Sequence, residues 1–131
     1  MNNLFTMSTE LILLVFLAIV FLQSGFDKVF DHKGNLSWLK GHFAETPFKN
    51  VVSILLIIIT LMELLGGFLA VAGLVQMSMG SGSEIAFYAA LTCSLTLLML
   101  LLGQRLAKDY AGASTLVIYL VPTVFLLYLL Q

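Results

Sequence analysis

The chain has little of almost everything that aqueous chemistry uses. Only 10% of its 131 residues are charged, against 60% hydrophobic, and its mean hydropathy is +1.06. An ordinary soluble domain carries about 25% charged residues. So apolar a chain cannot cover its surface with polar groups, and lipid is the expected solvent for most of it. A net charge of −1 lacks the basic field that would attract nucleic acid. The single cysteine, Cys93, excludes an internal disulfide, a C-x-x-C redox pair and a four-cysteine metal site. The two histidines, His32 and His42, both fall in a loop, so the apolar runs offer no histidine to a haem. No metal and no cofactor are therefore expected, a quinone being the one class left open. Residues 1–10 contain no Lys or Arg, and no small-residue cleavage site follows the first apolar run. The run is read as a retained helix rather than a cleaved signal.

What is present is helix-forming apolar sequence in four runs. A bilayer core is crossed by about 20 apolar residues in helix. The runs fall at about 10–30, 47–77, 84–106 and 113–130, which predicts an all-α, integral membrane four-helix bundle forming a single domain over 1–131. Ser8 or Thr9 is the expected cap of the first span. Thr46-Pro47 is the expected start of the second, a cap followed by proline at the first helical position. Ser83 caps the third, with Glu84 at its positive end. Pro122 is expected to kink the fourth, and Tyr128 to anchor its end at the lipid interface. Between spans one and two, the stretch 35–46 (NLSWLKGHFAET) places Trp38, Leu39 and Phe43 on one side of a short helix. A helix lying in the membrane interface is expected there, with a solvated loop as the plain alternative.

All six cations lie in two loops. Lys28, Lys33, Lys40 and Lys49 separate spans one and two, and Arg105 and Lys108 separate spans three and four. The positive-inside rule then puts loops 27–50 and 105–112 in the cytoplasm and both termini outside.

Glu63 is the least expected residue, an ionisable group in the middle of the second run. There it costs at least about 2.5 kcal/mol unless turned inward and paired or neutral. Gly66, Gly67, Ala70 and Gly73 follow at three, four, seven and ten residues, a stripe of small residues that lets helices approach closely. Glu63 is thus a candidate proton carrier or an acceptor for a polar head group. Alternatively it is a protonated group that only locks packing. At the end of span one, Gln23, Ser24 and Lys28, with Gly25 as a packing residue, either line a polar pocket open to the cytoplasm or leave Lys28 to snorkel to lipid phosphates. Ala86, Ala89, Ala90, Cys93 and Thr96 form a packing seam on span three. Tyr119 is a candidate hydrogen-bond donor to Glu63.

The stretch Ser24-Gly25-Phe26-Asp27-Lys28, the aromatic-bearing loop after it, and Glu63-Leu64-Leu65-Gly66-Gly67 followed by Gly73 resemble the DoxX-like family of small four-span membrane proteins. The likeness spans roughly residues 10–130, with its motifs in the first two spans. Where family members carry an Arg near the start of span one, this chain has Thr9 and Glu10, so no role of that Arg carries over. The family takes its name from a subunit of a thiosulfate–quinone oxidoreductase, and members of a wider superfamily act as membrane chaperones or assembly factors. The resemblance implies a bacterial cytoplasmic membrane and gives weight to Lys28, Glu63, Gly66 and Gly67. Three functions follow as expectations. The foremost is a non-enzymatic subunit or assembly partner of a larger membrane complex, or a self-associating bundle. The next is a quinone-linked oxidoreductase component with Glu63 as proton carrier. The last is a small-molecule or lipid-binding, transporter-like module.

Overall fold

The computed structural model describes residues 5–131. It contains five described helices and, among the described residues, no strand: α1 (Ser8–Phe30), α2 (His32–His42), α3 (Val52–Ser78), α4 (Glu84–Leu106) and α5 (Tyr110–Leu130). All but α2 are long and apolar enough to cross a membrane. Ile12, Ile19, Leu61, Phe68, Ile118 and Val121 are among many large apolar side chains left exposed around the outside. A continuous apolar exterior of this kind is stable only against lipid. The chain is a small integral membrane protein, and the four-helix bundle expected from the sequence is the fold it adopts.

The bundle is a ring in which α1 packs on α3, α3 on α4 and α4 on α5, while α5 closes more lightly on α1. The centre of the ring is held by Leu14, Leu17 and Phe21 of α1, the alanines Ala86, Ala89 and Ala90 of α4, and Leu126 of α5. Helix α3 takes part in two seams. A Cβ added to Gly67 would lie 2.6 Å from Leu22 Cδ2, and one added to Gly25 would lie 2.6 Å from Leu64 Cδ2. Each of α1 and α3 thus seats a leucine of the other on a glycine. On its other flank α3 meets α4, where a Cβ on Gly66 would stand 2.8 Å from Cys93 Sγ and one on Gly73 would stand 2.8 Å from Ala86 Cα. The small residues read as one stripe therefore serve two neighbours, and both neighbours belong to this chain. Buried threonines need no partner helix. Thr60, Thr96 and Thr123 donate to the carbonyls of Leu56, Thr92 and Tyr119, four residues back, each at 2.7 Å.

The helix starts differ from expectation in physical detail. Span two begins at Val52, not at 47. Thr46 Oγ1 donates to Phe43 O and accepts from Phe48 N, so the Thr46-Pro47 pair organises a turn ahead of the helix. Span four begins at Tyr110, three residues early, because Asp109 accepts from Gly112 N at 2.9 Å and caps it. Ser8 lies inside α1 with Met7 at the cap position, and Ser83 caps α4 by position without a side-chain hydrogen bond. The α4–α5 turn is closed by Lys108 in the left-handed conformation (φ 59°). Pro122 lies within α5.

Candidate functional site

Helix α1 ends and α3 begins at the same end of the bundle, the end that carries the cations. There α1 presents Ser24 and Lys28, one turn apart, toward α3. Ser24 Oγ donates to Glu63 Oε2 at 2.7 Å, and Lys28 Nζ donates to Ser24 Oγ at 2.8 Å. Lys28 Nζ also lies 2.9 Å from Glu63 Oε1 as an ion pair, and this oxygen accepts no hydrogen bond among the described residues. The carboxylate side chain is 4% exposed and the lysine side chain 17%. A buried carboxylate of this kind is tolerable only when paired and hydrogen-bonded, and the α1–α3 glycine contacts bring the two backbones close enough to pair it.

Beyond Lys28 the helices part. A cavity of about 360 Å³ lies between α3 and α4 at this end. Val52, Leu55, Leu56 and Ile59 of α3 form one wall, and Met99, Leu100, Leu102 and Gly103 of α4 form the other. Trp38 and Leu39 of α2, with Phe43 just after it, close the end, and Lys28 and Gln104 are the polar groups that line it. The three aromatic and apolar residues predicted to share a face of the interhelical segment do so, and the face is turned onto this cavity.

Helix α2 buries no residue of its own. Its side-chain ties to the bundle are Asn35, which donates to Asp27 Oδ2 of α1 at 3.4 Å, and His42. The imidazole stacks on Trp38 (4.4 Å between centroids, 18° between planes) and meets the Phe43 ring edge-on at 5.0 Å. His42 Nε2 donates to Gln104 Oε1 at 2.6 Å and lies 3.6 Å from Asp109 Oδ2. One side chain thus ties α2 to the end of α4 and to the cap of α5. The sequence placed His42 in a loop and gave no sign of this latch. Gln104 and Asp109 were likewise unmarked, since only the fold brings residues so far apart in the chain together.

The other predicted site residues divide. Ser24, Lys28 and Glu63 are brought together. Gln23 is exposed and takes no part in the cluster, because it sits on the outer flank of α1 while Ser24 and Lys28 share the inner one. Tyr119 does not bond Glu63, whose contacts are Ser24 and Lys28. Its ring packs against Phe16 at 6.1 Å instead. Gly25, Gly66, Gly67, Ala70 and Gly73 are all buried in helix contacts, as their packing role requires. Among the described residues no group of His, Cys, Asp and Glu side chains is placed to hold a metal.

No family model, curated protein or solved structure matches the chain.

Proposed function

We propose that this protein binds a membrane amphiphile, with its apolar chain in the cavity between α3 and α4 and its head group at Lys28. The cavity itself carries the reading. At about 360 Å³ it lies in the range of roughly 300–1,000 Å³ typical of small-molecule sites, which pair apolar walls with a few placed polar groups. Here the walls are aliphatic and aromatic, and the polar groups are one ammonium and one amide.

The geometry divides the roles. Lys28 faces the cavity and Glu63 stands behind it, so contact with a head group falls to Lys28 and charge balance to Glu63. A quinone is one amphiphile of suitable shape, and a proton passed between it and Glu63 would travel through Lys28 or Ser24. A role as a subunit or assembly partner has less support, because the small-residue faces that would dock a partner helix are taken up within the chain. The DoxX-like resemblance, resting on the segments that hold Lys28 and Glu63, is compatible with the amphiphile reading and is part of the same proposal. With the positive-inside rule, the cavity end faces the cytoplasm.

The test is extraction in a mild detergent followed by mass spectrometry of retained small molecules. The wild type is expected to hold a defined amphiphile in near-stoichiometric amount. Gly103→Leu, which projects into the cavity beside Phe43, is expected to lose it while remaining folded. Equal retention of mixed bulk lipids by both proteins would overturn the reading.

A further inference from the structure

We infer that the head group taken by this site is a neutral hydrogen-bond acceptor, an ester or ketone carbonyl, and that the site selects against carboxylate and phosphate heads. The inference rests on the amphiphile reading and deepens it.

An ammonium has three donors and no acceptor. In Lys28 one donor is given to Ser24 Oγ at 2.8 Å, and the ammonium stands 2.9 Å from Glu63 Oε1 as an ion pair without a hydrogen bond to it. Lys28 is also a wall of the cavity, so it has donor capacity left for a ligand there. Gln104, the other polar wall residue, already accepts at Oε1 from His42 Nε2–H at 2.6 Å. The donor that the polar end of the cavity offers is therefore the Lys28 ammonium.

Its charge is balanced. The positive charge of Lys28 is already matched by a carboxylate in contact with it, and that carboxylate is locked by Ser24 at 2.7 Å and is 4% exposed. An anionic head would have to leave water for an apolar cavity, at a high desolvation cost. In return it would meet a cation whose field is largely cancelled by Glu63 directly behind it. A carbonyl loses far less hydration and accepts the same N–H. The arrangement reads as a lysine used as a hydrogen-bond donor, with Glu63 there to remove its preference for anions.

The chain supplies its own reporter, because Trp38 is its sole tryptophan and lines the cavity. A brominated medium-chain fatty acid and its methyl ester, added to protein in detergent at a pH where the acid is ionised, quench Trp38 on binding. Quenching in the cavity is the excess over that seen in Gly103→Leu, with Ile59→Phe as a second cavity-filling control. The ester is expected to half-saturate the wild type at a concentration lower than the acid by on the order of tenfold, equivalent to about 1.4 kcal/mol. Glu63→Gln uncovers the charge of Lys28 and is expected to erase or reverse that order. Lys28→Met is expected to weaken the ester and leave the acid no better. A purely structural Lys28–Glu63 pair would alter stability without moving the ratio between the two ligands. Tighter binding of the acid by the wild type would overturn the inference and leave the amphiphile reading standing. No excess quenching by either ligand would overturn both. The wild-type comparison decides the matter even if Glu63→Gln does not fold.

Discussion

The two ends of the α3–α4 pair are built on opposite principles. At the end near the 79–83 turn, Gly73 lies so close to Ala86 that an added Cβ would stand 2.8 Å from its Cα and 2.9 Å from its N. Gln76 locks that end further, donating to Ser81 O and Glu84 Oε2 and accepting from Ile85 N. At the other end the facing residues are Leu55, Leu56 and Ile59 against Met99, Leu100 and Leu102, and a cavity lies between them. Small residues draw two helices together and large ones hold them apart. The pair is clamped at one end by glycine and alanine and leaves a cavity lined by larger side chains at the other, the space that the proposed amphiphile would fill.

The same substitution at the two ends tests this most strongly. Gly73→Leu sets a side chain against backbone atoms of α4, which cannot move aside without separating the helices. It is expected to cost about 3 kcal/mol or more, at or beyond the upper end of ordinary overpacking. Gly103→Leu meets only the Phe43 ring, whose Cζ lies 3.3 Å from the new Cβ, and the open cavity beyond. Its cost is expected below about 1.5 kcal/mol. Thermal unfolding of both variants in one detergent measures the contrast, and equal losses would show that the two ends do not differ in kind.

A smaller effect is expected from the lid of the open end. His42→Ala removes the hydrogen bond to Gln104 and the stack on Trp38, a loss of about 1 kcal/mol for the contact. Because α2 buries no residue, that loss is expected to stay local. Amide exchange across 32–42 should speed up and Trp38 emission should shift, while the melting temperature of the four spans changes little. A large drop in melting temperature would mean that α2 supports the bundle rather than covering its cavity.

Much of this contrast is written in the chain, but unevenly. The apolar runs, the inward Glu63 and the glycines around it are readable because helical periodicity puts residues three, four and seven apart on one face. The pairing of Glu63 with Ser24 and Lys28 is not, since the Ser24–Glu63 bond joins positions 39 residues apart whose register depends on how Gly25 and Gly67 seat the opposing leucines. Gln23 was misplaced for a related reason. It is adjacent to Ser24 in sequence, but a step of one residue turns a helix by about 100°, carrying Gln23 to the outer flank. Tyr119 was a candidate donor to Glu63, but the sequence of a span says nothing of lateral position in the ring, and its ring packs on Phe16 instead. The His42 latch needs three segments at once, and no local pattern signals it. The start of span two was mistaken because Thr46-Pro47 is a genuine turn former, used here to end the lid rather than to begin the span.

The smallest expected effect lies between the two ends, on α4 itself. Ser94 is buried, and its hydroxyl has no hydrogen-bond partner among the described residues. The buried threonines around it differ, each donating to a carbonyl one turn back. A buried hydroxyl without a partner costs about 1–3 kcal/mol of desolvation, so removing it returns free energy in place of losing it. Ser94→Ala is therefore expected to leave the stability to unfolding unchanged or raise it, by up to about 1 kcal/mol once lost packing is subtracted. Thr60→Val, which deletes a made hydrogen bond at nearly constant volume, is expected to cost about 0.5–1.5 kcal/mol under the same conditions. The pair of variants separates polar groups that hold the spans from one that does not. If Ser94→Ala is the more damaging of the two, Ser94 has a partner that this arrangement of helices does not provide, and the packing of α4 between the closed end and the cavity must differ from that described.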